Sequence, residues 1–360
     1  MRGFLEGLVS RGVVSAAVAL MGTREGIRVE EAAGEAPAGT STRFDYASIT
    51  KPFMATLALV LHNQGILPLG AEIGEIWPRA HQRLARRPLS DLLRHRSGLA
   101  AWTPLYRRCR SLDEAADLIV QGGQDGDLLG ARAGTYSDLG VILWGRAAER
   151  RTGERLADLL RSRVLIPLGI DGIEATPGER PDLAASRMGT GQEVTLAARQ
   201  GFTVADLGPP PLGHPQDGNG RFLLGIGETC GHAGLFGGAH DLWRLGAEWL
   251  APGRLLKPEG VAAALSGGGR FALGWWRRTL RGSAGRALSP SAFGHTGFAG
   301  NSLWIDPAHP EGRILVLLGS RIDPSMDMNR WRRRFHSVAI ASAKRISISE
   351  KREAVADGHS

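Results

Sequence analysis

Cysteine and lysine are scarce in this 360-residue chain. The two cysteines, Cys109 and Cys230, have no metal-ligand spacing. A chain this long buries enough apolar surface to need no disulfide, so both are expected to be small buried hydrophobes. Lysine occurs four times among 44 basic residues, and arginine supplies the other 40. No stretch approaches the roughly 18 apolar residues of a membrane helix. The apolar run Val13–Met21 is short, follows Glu6 and enters a Gly-Thr-Arg-Glu-Gly turn, not a small-residue cleavage site. The expected location is therefore cytoplasmic, with export open if the true start lies elsewhere. His62, His81, His95, His214 and His240 form no H-E-x-x-H or comparable pattern. This argues against a zinc hydrolase, and no cofactor is expected.

With 42% hydrophobic and 22% charged residues, the composition is that of an ordinary globular protein. The net charge of +8 favours anions, and arginines cluster at 107–110 and 330–334. No zinc finger, RNA-recognition signature or phosphate loop accompanies them, so they read as a solvated arginine-rich surface, and no nucleic-acid partner is expected.

Apolar patterning predicts a helix at Phe4–Ser10 and strands at Val13–Met21 and Gly26–Ala32. A helix follows at Pro52–Gln64, ended by Gly65. Helix and loop then dominate to about Leu224, including a segment read as capped by Ser90 and stopped by Gly98. The Pro/Gly-rich stretch 204–220 reads as loop. Three strand-like runs come later, at 270–278, 293–306 and 313–322. A last helix is expected at Met328–Lys344. Strands at both ends with helices between them predict an α+β fold. The expected division is a sheet domain from 1–60 and 225–345, a helical insert at 61–224, and a flexible tail at 346–360.

Against so few lysines, Lys51 in "FDYASITKPF" stands three residues after Ser48. On a helix these positions share a face. A hydroxyl needs a base to become a nucleophile at neutral pH. Lysine can serve if burial lowers its pKa, whereas arginine never releases its proton. Pro52 fits an early helical position. Alone, Ser-x-x-Lys is a common pair. Two further stretches add to it: "GTYSDLGVILWG", with Tyr136 and Asp138, and "GHTGFAGNSLWID", with His295, Thr296 and Gly297.

In this order the three motifs resemble those of the serine β-lactamase and penicillin-binding-protein superfamily. The likeness is to its class C-like branch, which includes D,D-peptidases and esterases. "LLRHRSGL" and "GHAGLFGGAHDLWRL" add to the resemblance, which runs from about Val13 to Lys344. It implies a β-lactamase/transpeptidase-like fold, with an antiparallel sheet flanked by helices. It also implies Ser48 as the acylated nucleophile, Lys51 as holder or acceptor of its proton, and Tyr136 as the shuttle to the leaving group. The backbone N–H groups of Ser48 and Phe298 would form the oxyanion hole. Gly297 would let substrate lie along the strand edge, beside Thr296, and His295 would give positive or hydrogen-bonding character beside Lys51.

Two departures bear on the substrate. Asp138 stands where the pattern usually has asparagine, and a carboxylate favours the lysine ammonium, so Tyr136 gains weight as proton acceptor. His295 stands where lysine is common, and a neutral histidine grips a substrate carboxylate less firmly. Both move the expectation from β-lactam hydrolysis toward an esterase or amidase on small esters, amides or peptides. A D,D-peptidase or D-aminopeptidase on cell-wall peptides, a true β-lactamase, and a non-catalytic binding relative remain alternatives. His232 reads first as a structural histidine, Asp217 and Asn219 as turn chemistry, and Trp275 and Trp276 as core and cleft wall.

Overall fold

Strand-forming residues from both ends of the chain meet in one sheet. The computed structural model describes residues 1–35, 38–132, 134–175 and 177–357, the side chains of 346–357 excepted. Its strands are β1 (Val14–Gly22), β2 (Ile27–Gly34), β3 (Phe44–Asp45), β4 (Phe236–Gly237), β5 (Trp276–Arg277), β6 (Phe293–Thr296), β7 (Ser302–Asp306) and β8 (Arg313–Arg321). Six pair antiparallel in the order β2-β1-β8-β7-β6-β5, and β3 pairs with β4. The fold is α+β with an antiparallel sheet among many helices, as the motifs imply.

Alternation explains how the sheet is covered on both faces. From β1, Ala16, Val18 and Leu20 join one core with Phe53 and Leu57 of the Thr50–Asn63 helix and Leu242 of the Ala239–Leu250 helix. Ala17, Ala19 and Met21 join the other, with Leu5 of the Arg2–Ser10 helix and Phe335 of the last helix. β8 divides in the same way, Val316 and Leu318 to the first core and Leu315 and Leu317 to the second. The segment between β3 and β4 is largely helix and loop. No helix among the described residues is long and apolar enough to cross a membrane.

Four local expectations change. The run 293–306 is a hairpin, β6 and β7, because the chain reverses at Gly297–Asn301, where Gly300 takes φ +121°. A Cβ at Gly300 would lie 2.8 Å from the Gly319 carbonyl oxygen. The helix read up to Gly98 covers only Ser90–Leu93, with Ser90 its first residue and not its cap; His95 at φ +54° leaves the helical region. Within 270–278 only Trp276–Arg277 is strand. The last helix continues to Asp357, beyond Lys344, because nothing in 345–357 is proline or glycine.

The β6–β7 turn is fastened to the chain just before Ser48. Asn301 is fully buried; its Nδ2 donates to the Asp45 carbonyl (2.6 Å), and its Oδ1 accepts from the Gly319 N–H (2.9 Å). A Cβ at Gly297 would sit 2.5 Å from the Tyr46 carbonyl oxygen, so only glycine allows this approach. Tyr46 itself donates from its hydroxyl to the Gly238 carbonyl at 2.6 Å. Asn301→Ala would strip partners from two buried backbone groups and is expected to cost about 2–4 kcal/mol. Urea denaturation of wild type and variant measures this; a loss below about 0.5 kcal/mol would show that the turn is held otherwise.

Candidate active site

The site is built outward from a tight turn. Ala47 lies at φ +48°, a conformation that strains a residue with a Cβ by about 1–3 kcal/mol. The Asp45 carboxyl group holds it there, accepting from the Ala47 N–H at 2.8 Å and from the Gln216 N–H at 2.7 Å. Burial outweighs these bonds and pushes the Asp45 carboxyl up to about 6. A 3-10 turn, Ala47–Ile49, then presents half-buried Ser48 at the head of the Thr50–Asn63 helix. The N–H groups opening a helix have no partner within it, which leaves the Ser48 N–H available.

Lys51 is fully buried one turn later. Its Nζ donates to Ser48 Oγ (3.0 Å) and to the His232 carbonyl (2.8 Å), and it pairs with Asp138 Oδ1 at 2.7 Å. Two directed hydrogen bonds and one ionic contact thus hold the ammonium, since Asp138 Oδ1 has no well-oriented hydrogen bond among the described residues. Burial alone would lower this pKa, but the charge of Asp138, aided by Tyr136, carries it above the ordinary lysine value. Sequence reasoning foresaw both effects, and the 2.7 Å contact decides between them.

Tyr136, Ser137 and Asp138 lead into the Asp138–Thr152 helix. Ser137 caps it, accepting from the Gly140 N–H and donating to the Ala100 carbonyl at 2.6 Å. The Tyr136 hydroxyl oxygen is shielded and, among the described residues, has no well-oriented hydrogen bond. Burial and the Asp138 charge push its pKa up to about 12, against the pull of Lys51 and Ser48, so the phenol is neutral. Its ring lies 4.9 Å from Lys51 Nζ, 5.5 Å from the Trp276 ring and 6.0 Å from the His295 ring.

His295 contributes no charge. The Trp276 indole N–H can only donate, so His295 Nε2 accepts from it at 3.0 Å. The Thr296 carbonyl can only accept, so Nδ1 carries the ring proton toward it, also at 3.0 Å. Burial, and next the charge of Lys51, hold this imidazole well below its ordinary range. Of the positive or hydrogen-bonding character expected of His295 beside Lys51, the ring has the second, with both nitrogens engaged. Thr296 ends β6 half-buried, Gly297 packs on Tyr46, and Phe298 is exposed at the turn. The Phe298 N–H has no acceptor among the described residues.

Two supporting residues carried weaker sequence signals. His95, in the "RHRSGL" stretch, accepts at Nδ1 from the Ser137 N–H (3.0 Å) and lies 4.5 Å from the Tyr136 ring, ring to ring. Burial, then Lys51, push it down to about 3. His232, read as structural, fixes Lys51 through its carbonyl while its Nε2 pairs with Asp217 Oδ1 at 2.8 Å. Burial opposes its charge, yet Asp217 holds its pKa well above the ordinary value. Asp217 also caps the Gly218–Gly225 helix, the turn chemistry expected of it. No cluster of three or more potential metal ligands occurs among the described residues.

These bonds fix an observable. Imidazole 15N spectra should show His295 as the neutral Nδ1–H tautomer from about pH 5 to 8, the range in which an ordinary histidine titrates. A titration midpoint near 6.5 would instead make the ring a proton carrier.

Comparisons with known proteins bear on the family and the fold. The family described as Beta-lactamase matches residues 1–339. An N-acetylmuramyl-L-alanine amidase of Bacillus subtilis (strain 168) is 26% identical over 327 residues, 80% of this chain and 70% of that protein. Esterase EstB of Burkholderia gladioli is 30% identical over 255 residues, 63% of this chain and 62% of the esterase. The solved structure of EstCE1, a hydrolase with promiscuous acyltransferase activity, superposes with a TM-score of 0.74 at 19% identity. It covers 94% of this chain and 96% of that one, a likeness of fold. With the family match spanning nearly its whole length, the chain belongs to the Beta-lactamase family.

Proposed function

We propose that Ser48 is the nucleophile of a serine hydrolase that acts through an acyl-enzyme on small uncharged esters or amides. The observation that carries this reading is the placing of Ser48 Oγ 3.0 Å from a buried Lys51 that is itself paired with Asp138. The reactive cleft lies between the sheet portion, residues 1–60 and 225–345, and the helical insert, residues 61–224. As Ser48 Oγ attacks the substrate carbonyl, its proton moves to Lys51 Nζ while an ammonium proton moves from Nζ to Asp138. The bond count at nitrogen is unchanged, and a serine proton has become a carboxylic acid proton. The N–H groups of Ser48 and Phe298 receive the developing oxyanion. The Tyr136 hydroxyl gives its proton to the leaving group and regains one from Lys51, which is re-protonated by Asp138. Water then attacks the acyl ester, with the same relay run again.

The substrate preference rests on charge. His295 offers no cation to a substrate carboxylate, and the half-buried wall of Tyr136 and Trp276 suits an apolar group. A cell-wall peptide is the second reading, favoured by the amidase and by a putative D-alanyl-D-alanine carboxypeptidase of Escherichia coli (strain K12), 26% identical over 332 residues.

A fluorophosphonate probe should label wild type and not Ser48→Ala, and p-nitrophenyl butyrate hydrolysis should fall by roughly 10³-fold or more in the variant. Undiminished turnover in Ser48→Ala would remove the nucleophile from this reading. A panel adding a D-Ala-D-Ala peptide and a chromogenic cephalosporin separates the substrate classes; faster peptide cleavage than ester cleavage would favour the second reading. The relay has its own test. Because Asp138 holds the Lys51 ammonium, Asp138→Asn should lower the lysine pKa and make the free amine the base. The acid limb of kcat/KM should then move to higher pH, because the lysine must lose its proton before it can act as the base. An unchanged limb would take Asp138 out of the proton path.

A further inference from the structure

Arg332, on the last helix, is buried without a carboxylate partner among the described residues. Its Nη2 donates to the Gly297 carbonyl oxygen at 2.7 Å, and its Nη1 to Asn329 Oδ1 at 3.0 Å. Burial, and next the charge of Arg321, push the guanidinium down to about 9, which leaves it charged at neutral pH. A buried cation is costly unless something answers its charge. Here the answer is a backbone dipole.

The dipole is that of one particular peptide. The Gly297 carbonyl and the Phe298 N–H belong to a single planar amide, joined by resonance across the C–N bond. A cation on the oxygen draws electron density from nitrogen and makes the N–H a stronger donor, the cooperative effect seen in hydrogen-bonded chains. The Gly300 N–H also donates to this oxygen, at 3.2 Å, so both lone pairs are engaged. Arg321 holds the next carbonyl, Phe298, at 3.3 Å from Nη1, and its backbone N–H donates to the Ala299 carbonyl at 2.9 Å. The turn is thus gripped from behind at three successive carbonyls, while the Phe298 N–H faces away without a protein acceptor among the described residues.

We infer that Arg332 is a positioning residue that orients and polarises the 297–298 peptide, so that the Phe298 N–H stabilises the oxyanion more strongly than an unassisted amide would. This rests on the acyl-enzyme reading above, in which that N–H faces the reacting carbonyl. A donor strengthened in this way acts where charge develops, so its loss falls on the chemical step more than on substrate binding.

Arg332→Gln keeps a neutral donor of similar shape and removes the charge. It is expected to lower kcat for p-nitrophenyl butyrate by roughly 10- to 100-fold with KM within about twofold, somewhat less than outright deletion of an oxyanion donor. Arg332→Lys, which keeps a cation, should recover part of the loss. Asn329→Ala, which loosens the guanidinium without deleting it, should give a smaller fall and tests the same contact if the buried substitutions unfold the protein. The direct readout is the Phe298 amide proton in the stable fluorophosphonate adduct, with phenylalanine labelled with 15N. It should lie downfield in wild type and move upfield in Arg332→Gln and, less far, in Asn329→Ala. A wild type that takes no label at Ser48 would defeat the nucleophile reading. A labelled protein whose Phe298 resonance and kcat ignore these substitutions would defeat the role of Arg332 alone.

Discussion

The ion pair between Lys51 and Asp138 is the constraint around which the site is arranged. Moving two charges out of water costs several kcal/mol each, and their attraction offsets this only with good geometry and with the remaining hydrogen-bonding capacity filled. Lys51 has a 2.7 Å contact to the carboxylate and two acceptors in Ser48 Oγ and the His232 carbonyl. Each acceptor comes from a different part of the chain, so forming the pair requires the start of one helix, the start of another and the loop before β4 to be in register. The pair therefore couples fold and site. It also acts on two neighbouring rings: the charge of Lys51 helps keep His95 and His295 neutral.

A lysine used in this way differs from the lysine base that the Ser-x-x-Lys spacing first suggests. Burial alone would free an amine, whereas burial beside a carboxylate produces a lasting ammonium. In the proposed mechanism, aspartate in place of the usual asparagine exchanges a poised base for a relay. The serine proton then has somewhere to go only because the acceptor beyond the lysine is anionic. The cost of that arrangement is a tightly held Ser48 hydroxyl, accepting from an ammonium, with Tyr136 kept neutral beside it by burial.

Much of the arrangement was legible in the sequence, because Ser48 and Lys51, and Tyr136 and Asp138, stand at short spacings that survive folding. The sheet assembled from both termini was legible too, since β1 and β8 are apolar on both faces. What could not be read depended on distance. The sign of the Lys51 shift needed the Asp138 contact, 87 residues away in sequence. The neutrality of His295 needed the Trp276 indole to be aimed at Nε2, and a tryptophan read as core or wall gives no hint of donating there. The hairpin inside 293–306 was hidden because strand-forming residues flank a turn whose glycines are required by close contacts with Tyr46 and Gly319, not by local propensity. His95 was hidden by its ordinary surroundings, and the Ser137 amide that singles it out lies 42 residues further on.

The same reasoning gives the surplus of arginine a second meaning. A net charge of +8 read from composition suggests a surface field, yet Arg321 and Arg332 are buried and bonded to backbone carbonyls around the β6–β7 turn. Arginine suits this place because its planar fork supplies several fixed donors and its charge is less strongly hydrated than that of an ammonium. Lysine in the same positions would offer a point charge on a flexible stem, harder to bury and less able to span two carbonyls. A chain that has largely replaced lysine with arginine can therefore stiffen its backbone turns with buried cations. It retains lysine at position 51, where the proposed relay needs a proton that can leave.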